Sequence, residues 1–392
     1  MKKVLYISSR TGLAEPLGRS QILPYMLELS KNNKIYIISS EKRIDLENEL
    51  NIKKIKSLLK KNNIIWHYSN FKYGKKSVPI TILNHVLIAM FFCMKYKIDI
   101  IHCRSYISNY VGIIIKTLFS NQLIFDMRAL WPEEIALGLK KGKKSFIYKI
   151  LKISEIISIS YSNKIVSLTS RARDYLIELY RVNPKYIYTI PTCVDIQRFQ
   201  YSKPIISQKK IFSCVGTILS DWFLIDHLSL FFRCVEKFDK NAIFEIISND
   251  NKEELLIRLN LNSSLQNKLK IRSATPNEMP SLIKYHSASS FFFKSDLSKL
   301  GSSPTRFGEI LAVGRPVICN SGVGDLDKLV IDNGVGIVVE DSKYSSMMEG
   351  VKKLYRMIED PITSKKCREL AENYYSLLSG VKKYSEIYES EI

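Results

Sequence analysis

The feature that most constrains the fold of this chain is a regular alternation of short β-branched runs with longer segments of helical periodicity. Alternation of this kind is typical of parallel sheets whose strands are joined by crossover helices. In the N-terminal half, the predicted strands are Val4–Ser8, Lys34–Ser39, Ile64–His67, Ile98–His102, Gln122–Asp126 and Lys164–Leu168. The predicted helices between them include Gln21–Lys31, Glu47–Lys61, Ile82–Lys97 and Lys144–Ser160. The pattern therefore predicts an α/β fold.

The alternation is interrupted between residues 188 and 205, where Pro191 and Pro204 bracket an irregular stretch. It then resumes with predicted strands at Lys210–Val215, Ile243–Ser248, Lys268–Arg272, Ser290–Lys294, Pro316–Cys319 and Gly336–Val339. A length of 392 residues exceeds what one hydrophobic core usually organises. We therefore predict two α/β domains, residues 1–190 and 191–375, followed by a closing helical segment, residues 376–392.

The charge balance restricts the classes of partner. The chain has 59 Lys and Arg residues against 38 Asp and Glu, a formal net charge of +21. Such a field favours nucleic acid, phosphorylated ligands or an acidic membrane surface. We expect no nucleic acid partner, because the basic residues are dispersed and no helix-turn-helix or similar motif accompanies them. The longest unbroken apolar run, Val86–Met94, is shorter than the roughly twenty residues of a membrane span, and seven scattered cysteines indicate free thiols. A cytosolic protein is predicted.

A lysine-rich segment, residues 140–152, interleaves six lysines with apolar side chains. One interpretation is an ordinary crossover helix with a solvated basic face. The other is a helix that contacts an anionic membrane surface. The sequence leaves both open.

The most informative motif covers residues 294–320, where a strand, a polar loop and a helix follow each other. Ser303 is predicted to be the N-cap of this helix, with Pro304 as the first helical residue. A helix N-terminus at the carboxyl edge of a parallel sheet is suited to anions. Arg306 and Glu309 share a helical face, so the arginine can bind a phosphate while the glutamate accepts from ribose hydroxyls. The alternative is a capped helix with a local Arg–Glu ion pair.

This stretch resembles the nucleotide-sugar signature of retaining glycosyltransferases of family 4, which have the GT-B fold. Glu309 matches the second of the two glutamates of that signature, and its end is matched by Ala312, Gly314, Pro316 and Val317. Three further segments resemble parts of the family: the interdomain linker Ile190–Phe199, the donor-domain strand and glycine turn Cys214–Thr217, and Glu15–Tyr25, which is similar to a segment of a bacterial surface-polysaccharide branch.

The resemblance implies two Rossmann-like domains facing a cleft, with a C-terminal helix that crosses back to the N-terminal domain. It also implies transfer of a sugar, with retention of configuration, from a nucleotide sugar to a glycan acceptor in capsule, lipopolysaccharide or similar polysaccharide biosynthesis. The acceptor is expected to be lipid-linked. A UDP-sugar is the favoured donor, with GDP- and CMP-sugars as alternatives, and neither a metal nor a tightly bound cofactor is expected. The enzyme would lie at the inner face of the cell membrane as a peripheral protein.

The motif and the resemblance together assign the donor residues. These are Gly216, Thr217, Lys294, Ser302, Ser303, Thr305, Arg306 and Glu309. The helix start and Arg306 are assigned to the diphosphate, and Glu309 is assigned to the ribose. Gly301 stands where the family has its first glutamate, and the family's Arg and Lys after the glycine turn are absent. These departures support the alternative of a non-catalytic subunit or regulator, and a sugar-nucleotide epimerase is a further alternative.

Polar residues at the strand ends of the N-terminal domain predict the acceptor side and the reacting centre. Gly18 and Arg19 follow the first strand near a predicted helix start, and Arg104 follows the fourth. His102 or Asp126 is expected to interact with the acceptor hydroxyl, while Arg128 stabilises the charge of the leaving phosphate. The alternative for His102 and Asp126 is that neighbouring backbone amides satisfy them.

Overall fold

Two parallel β-sheets organise this computed structural model, which describes residues 1–74, 77–204 and 209–390. Contacts divide the chain into two units. The N-terminal unit comprises Met1–Pro191 and the segment from Leu377 onwards, and the C-terminal unit comprises Thr192–Ser376. Each unit has one parallel sheet with helices around it, so the predicted fold class is confirmed.

The N-terminal unit contains a seven-stranded sheet in the order β3-β2-β1-β4-β5-β6-β7, in which all neighbouring strands are parallel. Its strands are β1 (Lys3–Ser8), β2 (Lys34–Glu41), β3 (Ile65–Asn70), β4 (Ile100–Arg104), β5 (Gln122–Asp126), β6 (Lys164–Ser167) and β7 (Ile187–Thr189). Strand β1 lies between β2 and β4, where Leu5 pairs with both Tyr36 and Ile101. The strand order therefore reverses at the β1–β4 boundary.

Helices cover both faces of this sheet. They are α1 (Pro16–Gln21), α2 (Leu23–Leu29), α3 (Arg43–Leu46), α4 (Glu49–Lys61), α5 (Val78–Tyr96), α6 (Ser105–Phe119), α7 (Trp131–Leu137), α8 (Phe146–Tyr161) and α9 (Ser170–Tyr180). Side chains alternate between the faces of a strand. Leu5 and Ile101 therefore join the core under α5 and α6. On the other face, Tyr384 of the C-terminal helix, Leu377–Glu389, lies 5.1 Å from the His102 ring.

Lys164 ties the end of the C-terminal helix to the N-terminal unit. Its buried amine, at the start of β6, donates to the Ile387 carbonyl at 2.7 Å and to Ser390 Oγ at 2.7 Å. The last carbonyls of a helix lack partners within the helix, and a basic side chain can satisfy them. The C-terminal helix is thereby held as a layer of this unit.

The C-terminal unit contains a six-stranded parallel sheet in the order β10-β9-β8-β11-β12-β13. Its strands are β8 (Ile211–Val215), β9 (Ile243–Ile247), β10 (Leu269–Arg272), β11 (Ala288–Phe291), β12 (Val317–Asn320) and β13 (Gly336–Val339). Its helices are α10 (Ile225–Phe238), α11 (Lys252–Leu259), α12 (Ser263–Lys268), α13 (Met279–Lys284), α14 (Thr305–Ala312), α15 (Leu326–Asn333), α16 (Tyr344–Glu359) and α17 (Pro361–Leu370). One apolar cluster includes Phe212 and Phe231, and a second includes Phe307 and Val317.

Three differences between the predicted and the observed elements have local reasons. The predicted helix Gln21–Lys31 is two helices, Pro16–Gln21 and Leu23–Leu29, and Pro24 lacks the N–H that would continue the first one. Strand β7 was missed because three residues are too short to show alternation. The strand predicted at Ser290–Lys294 ends at Phe291, since Phe293 instead forms an isolated bridge with Phe223.

Helix α5 is the one helix among the described residues whose length and composition would allow it to span a membrane. Its apolar sequence is interrupted by Asn84 and His85, so the longest unbroken apolar run covers only part of this helix. In the structure, its inner side is part of the core of the N-terminal unit, where Val86, Ala89 and Phe92 are buried. Helix α5 is thus a surface helix of this unit.

The buried His85 makes the stability of the N-terminal unit depend on pH. Its ring lies 3.0 Å from both Ser9 Oγ and Ser69 Oγ, and burial, together with the nearby His67, lowers its pKa from 6.5 to about 4. Below pH 6.5 the unfolded chain gains a proton on this residue that the folded chain does not accept. Stability therefore falls as the pH drops, by about 1 kcal/mol between roughly pH 7.5 and pH 5.5.

We expect His85→Gln to remove most of this pH-dependent loss, while His67→Gln, at an exposed position on β3, retains it. Melting temperatures of the three proteins at both pH values measure the effect. An equal pH dependence in the wild type and in His85→Gln would show that another group titrates.

Candidate functional site

The C-terminal unit places its predicted donor residues where the order of its strands reverses, between β8 and β11. The loop after β8 carries Gly216 and Thr217, and the loop after β11 runs from Lys294 to the start of α14. Open α/β sheets bind ligands at the carboxyl ends of the strands on either side of such a reversal. The structure therefore brings these residues to one edge of one sheet.

Gly216 leaves open space at this edge. Its φ of +136° favours glycine, and a Cβ built there would meet no atom within 4 Å. A ligand can therefore approach the backbone closely, next to the exposed Thr217. The loop is held by Asp250 Oδ2, which accepts from the N–H groups of Ile218 at 2.6 Å and Leu219 at 3.0 Å. Asp250 was not among the predicted site residues, although its position just after a buried strand is a usable signal.

Helix α14 begins at Thr305 with Pro304 as its N-cap, so the prediction of Ser303 as N-cap and Pro304 as first helical residue is wrong. Ser303 Oγ instead accepts from the Thr192 N–H at 3.1 Å, and the Ser302 N–H donates to the Lys299 carbonyl at 3.0 Å. Pro304 has no side-chain oxygen with which to cap the first turn. A first turn without such a cap retains its affinity for an anion.

Arg306 and Glu309 form an ion pair on α14. The Glu309 residue is 8% exposed, whereas the Arg306 side chain is 36% exposed. Burial raises the pKa of Glu309 above its ordinary value, although the Arg306 guanidinium opposes this effect. The local ion pair considered as an alternative is therefore present. A diphosphate at this edge would compete with Glu309 for the guanidinium.

The loop after β11 contributes positive charge and an aromatic surface. Lys294 is exposed, and its N–H donates to the Trp222 carbonyl at 2.8 Å. The Lys299 ammonium lies 4.8 Å from the centre of the Trp222 ring, which is within the range of a cation–π contact. Neither Trp222 nor Lys299 was among the predicted site residues. Lys299 lies within the motif of residues 294–320, and Trp222 lies in the loop after the glycine turn, so their positions were a usable signal.

Gly301, in place of the family's first glutamate, is buried at the end of the 3-10 turn Leu297–Gly301. It has no side chain with which to contact a sugar. The turn is tied to the loop after β12, because the Gly324 N–H donates to the Lys299 carbonyl at 2.8 Å. The contact that a carboxylate would make from position 301 is therefore missing.

In the N-terminal unit, a polar cluster lies at the carboxyl ends of β4 and β5. Both Arg104 and Arg128 donate to Gln21 Oε1, at 2.9 and 3.1 Å. The same guanidinium groups lie 3.9 and 3.6 Å from the carboxylate of Asp126. Two guanidinium groups thus face one carboxylate. The resulting positive charge and the fork geometry of arginine suit a phosphate or a carboxylate.

His102 and Asp126 are buried beneath this cluster, with exposures of 0% and 2%. His102 Nδ1 lies 2.7 Å from the Tyr388 hydroxyl, and its Nε2 lies 3.8 Å from Asp126 Oδ2. Burial lowers the pKa of His102, so that the ring is neutral at pH 7. Burial raises the pKa of Asp126, but Arg128 and His102 outweigh it and lower this pKa to about 2. Side chains, rather than the backbone amides considered above, therefore surround the two residues.

The backbone at Arg128 is strained. Its φ is +63°, and the Ala129 N–H donates to the Met127 carbonyl at 2.8 Å, which forms a γ-turn centred on Arg128. This conformation costs energy for any residue other than glycine. Strain of this kind occurs preferentially at functional positions. It supports the hypothesis that Arg128 has a functional role.

Glu41 fixes the loop that follows β1. Its carboxylate is buried and accepts from the N–H groups of Leu13 at 2.7 Å and Ala14 at 2.9 Å. A Cβ at Gly18 would come within 1.8 Å of the Gly12 carbonyl oxygen, so the position requires glycine. Gly18 therefore shapes the loop. Glu41, at the end of β2, was missed by the sequence analysis.

Some of the predicted residues of this unit line a small pocket, and others do not. Its lining includes Gln21, Tyr25, Arg104, Asp126, Arg128 and Tyr384. Gly18 is not part of the lining, and Arg19 is exposed on α1. Tyr384 comes from the C-terminal helix, so the local sequence gave no signal for it. Within the described residues, no group of three or more His, Cys, Asp or Glu side chains is placed to hold a metal ion.

Comparison with known families identifies both halves of the chain. Residues 33–198 match the family model described as Glycosyltransferase Family 4, and residues 195–375 match the one described as Glycosyl transferases group 1. The chain therefore contains one domain of each of these two glycosyltransferase families. The expected glycosyltransferase family is thus confirmed for the two matched domains, residues 33–198 and 195–375. No curated protein matches the sequence.

Solved structures share this fold over nearly the whole chain. A glycosyltransferase from Rickettsia africae ESF-5 has a TM-score of 0.67 at 16% identity, and the match covers 99% of this chain and 98% of that chain. The Anabaena protein Alr3699/HepE in complex with UDP-glucose has a TM-score of 0.68 at 13% identity, and the apo lipopolysaccharide outer core galactosyltransferase WaaB has 0.68 at 12%. These two matches cover all of both chains. The similarity establishes the GT-B glycosyltransferase fold.

The strained turn at Arg128 predicts a difference between two substitutions. Both Arg128→Gly and Arg128→Ala remove the guanidinium, but only glycine relieves the positive φ. We expect Arg128→Gly to be more stable than Arg128→Ala by about 1 kcal/mol. Urea unfolding of the two variants, followed by a probe in the N-terminal unit, measures this difference. Equal stabilities would mean that the backbone at this position relaxes when the arginine is removed.

Proposed function

We propose that this chain is a retaining glycosyltransferase that moves a sugar from a nucleotide-sugar donor to a glycan acceptor. The observation that carries the proposal is the pair of glycosyltransferase family matches in order along the chain, with Gly216, Arg306 and Glu309 at the reversal of the second sheet. The acceptor is expected to be lipid-linked and to belong to capsule, lipopolysaccharide or similar surface-polysaccharide biosynthesis in bacteria. The likeness to a lipopolysaccharide galactosyltransferase supports this expectation.

The proposed donor is a UDP-sugar, with GDP- and CMP-sugars as the alternatives. Similarity to a protein that binds UDP-glucose supports the choice of UDP. The start of α14 at Ser302, Ser303 and Thr305, together with Arg306, would hold the diphosphate, and Lys294 would add positive charge. Glu309 would accept from the ribose hydroxyls. Gly216 and Thr217 would let the nucleotide approach the backbone, and no metal or tightly bound cofactor takes part in the proposed reaction.

In this reaction, the bond between the sugar and the diphosphate breaks while a bond to the acceptor oxygen forms. Negative charge develops on the leaving diphosphate, and the acceptor proton is transferred to it on the same face of the sugar. Preorganised cations that stabilise this developing charge lower the barrier. Arg306 is assigned to this charge, and Arg104 and Arg128 are assigned to negative charge on the reacting groups. Gly18 and Arg19 are assigned to the acceptor side.

The burial of His102 and Asp126 favours a positioning role for them over direct contact with the acceptor. Asp126 lies beside both guanidinium groups, and His102 lies beside Asp126. A neutral imidazole and a fully ionised carboxylate can fix the direction of Arg104 and Arg128. This proposal retains both residues in the reacting centre but assigns the contact with the substrate to the arginines.

A second candidate is a non-catalytic subunit or regulator with the same fold. The observation that favours it is Gly301, which offers no carboxylate at the first glutamate position of the signature. The ion pair between Arg306 and Glu309 also satisfies both residues without a donor. Donor binding without transfer or hydrolysis, in the presence of a competent acceptor, would identify this candidate.

We further propose a cytoplasmic location, with the protein held peripherally at the inner face of the cell membrane. The net charge of +21 supports attraction to acidic lipids. A lipid-linked acceptor would be reached from the same place. No role for nucleic acid is part of this proposal.

Nucleotide binding tests the donor site directly. Melting temperatures of the wild type, Glu309→Ala and the control Glu349→Ala, at an exposed glutamate of α16, are measured with millimolar UDP, GDP, CMP, dTDP and ADP. A ligand at about a hundred times its dissociation constant stabilises by about 2.7 kcal/mol, a shift of a few degrees. We expect UDP to stabilise the wild type and the control but not Glu309→Ala. No shift with any of the five nucleotides would contradict the donor site.

Loss of the Arg306 guanidinium tests its role in the reaction. We expect Arg306→Ala to lower kcat/KM for nucleotide release from the donor by roughly 30- to 1000-fold, the equivalent of about 2–4 kcal/mol of transition-state stabilisation. Arg356→Ala, at an exposed position of α16, is the matched control and is expected to retain wild-type kinetics. Unchanged turnover in Arg306→Ala would contradict the assignment.

A further inference from the structure

Three neighbouring helices of the N-terminal unit, α5, α6 and α8, expose large apolar side chains. Contacts between α5 and α6, and between α6 and α8, place the helices side by side. We define the apolar face by six of these residues, Leu83, Leu87 and Phe91 on α5, Leu118 on α6, and Ile150 and Ile153 on α8. Each of these residues is about half exposed or more, between 49% and 61%.

The inner sides of these helices already fill the core, so the fold does not require apolar residues on their outer sides. Val86, Ala89 and Phe92 of α5 are buried, as are Val111 and Ile115 of α6. A surface helix of a water-soluble domain normally places polar residues opposite such a core stripe. A helix that is apolar on both sides indicates a second apolar environment.

The exposed charged side chains of the three helices that carry the apolar face are all positive. Helices α5 and α6 contain no Asp or Glu, and the one carboxylate of α8, Glu155, is buried and paired with Lys152. Exposed lysines lie on or next to the same helices, at Lys95, Lys144 and Lys149. We call these lysines the lysine rim. Apolar residues next to such a rim, on helices without exposed carboxylates, match a bilayer that contains acidic lipids.

A second copy of this chain fits the same surface less well. A symmetric dimer through the apolar face would bring the lysine rim of one copy against that of the other. Facing like charges disfavour association. An anionic bilayer satisfies the apolar residues and the lysines at the same time.

We propose that the apolar face docks on the surface of an anionic lipid bilayer. Leu83, Leu87 and Phe91 enter the boundary between headgroups and acyl chains, and Lys144 and Lys149 lie at the level of the lipid phosphates. Helix α5 lies along the bilayer rather than across it, because its inner side belongs to the core. The proposal deepens the membrane location proposed above and names the surface responsible for it.

The apolar contribution is tested by flotation of the purified full-length chain with vesicles. The vesicles consist either of phosphatidylcholine alone or of phosphatidylethanolamine and phosphatidylglycerol. We expect the wild type to float with the anionic vesicles, and Leu83→Gln/Leu87→Gln/Phe91→Gln to partition at least about tenfold more weakly. The control Ile257→Gln/Ile331→Gln/Ile362→Gln changes apolar residues of the C-terminal unit that are at least as exposed, and it is expected to bind as the wild type does.

A second pair of variants tests the contribution of the lysines to binding. Lys144→Glu/Lys149→Glu is expected to weaken binding to anionic vesicles, whereas Lys352→Glu/Lys365→Glu, at exposed positions of α16 and α17, makes the same charge change elsewhere and has a smaller effect. High salt should weaken wild-type binding. Melting temperatures with and without UDP establish that each variant is folded and separate a failure of docking from a failure of the donor site.

Several outcomes would overturn the proposal. One is the absence of wild-type binding to anionic vesicles, and another is unchanged binding of the glutamine triple variant. A third is a wild-type dimer in light scattering without lipid that becomes a monomer in the triple variant, since the apolar face would then join two copies of the chain.

Discussion

The structure depends on parallel backbone pairing around the first strand of each sheet. Strand β1 pairs with β2 on one side and β4 on the other, and β8 pairs with β9 and β11 in the same way. The crossover helices must therefore lead away from these central strands in both directions, and the strand order reverses beside them. Loops from both sides of each reversal meet at the carboxyl edge. This strand order, rather than any single motif, brings Gly216 and Arg306 to the same sheet edge in one unit, and Gln21 close to Arg104 in the other.

Burial of charge then determines which side chains can act. A buried carboxylate is stable only when it is paired, and Asp126 is surrounded by Arg104, Arg128 and the neutral ring of His102. The two arginines share one carboxylate and one amide oxygen, so their positive charge is incompletely neutralised. His102 and Asp126, the most deeply buried members of the cluster, fix its geometry, and the two arginines provide its positive charge.

The sequence predicted what depends on local pattern. The strands Gln122–Asp126 and Gly336–Val339 have the predicted bounds, because short apolar runs with clear flanks define them. The contact of Tyr388 with His102 joins residues that are distant in the chain, so no local pattern indicates it. The N-cap prediction at Ser303 failed for a related reason, since this hydroxyl serves the backbone of Thr192.

The ion pair between Arg306 and Glu309 is compatible with a donor site when the ligand gives each side chain a new partner. The arginine is partly exposed, but Glu309 is buried, and a buried carboxylate without a partner is costly. A diphosphate offers the same guanidinium a bidentate partner with more negative charge, while ribose hydroxyls can donate to the released carboxylate. The pair therefore holds both side chains near the start of α14 until a ligand replaces it. In the proposed reaction, Gly301 lacks the carboxylate that would contact the sugar from this position. The missing contact would then bear on which sugar is selected rather than on whether a nucleotide binds.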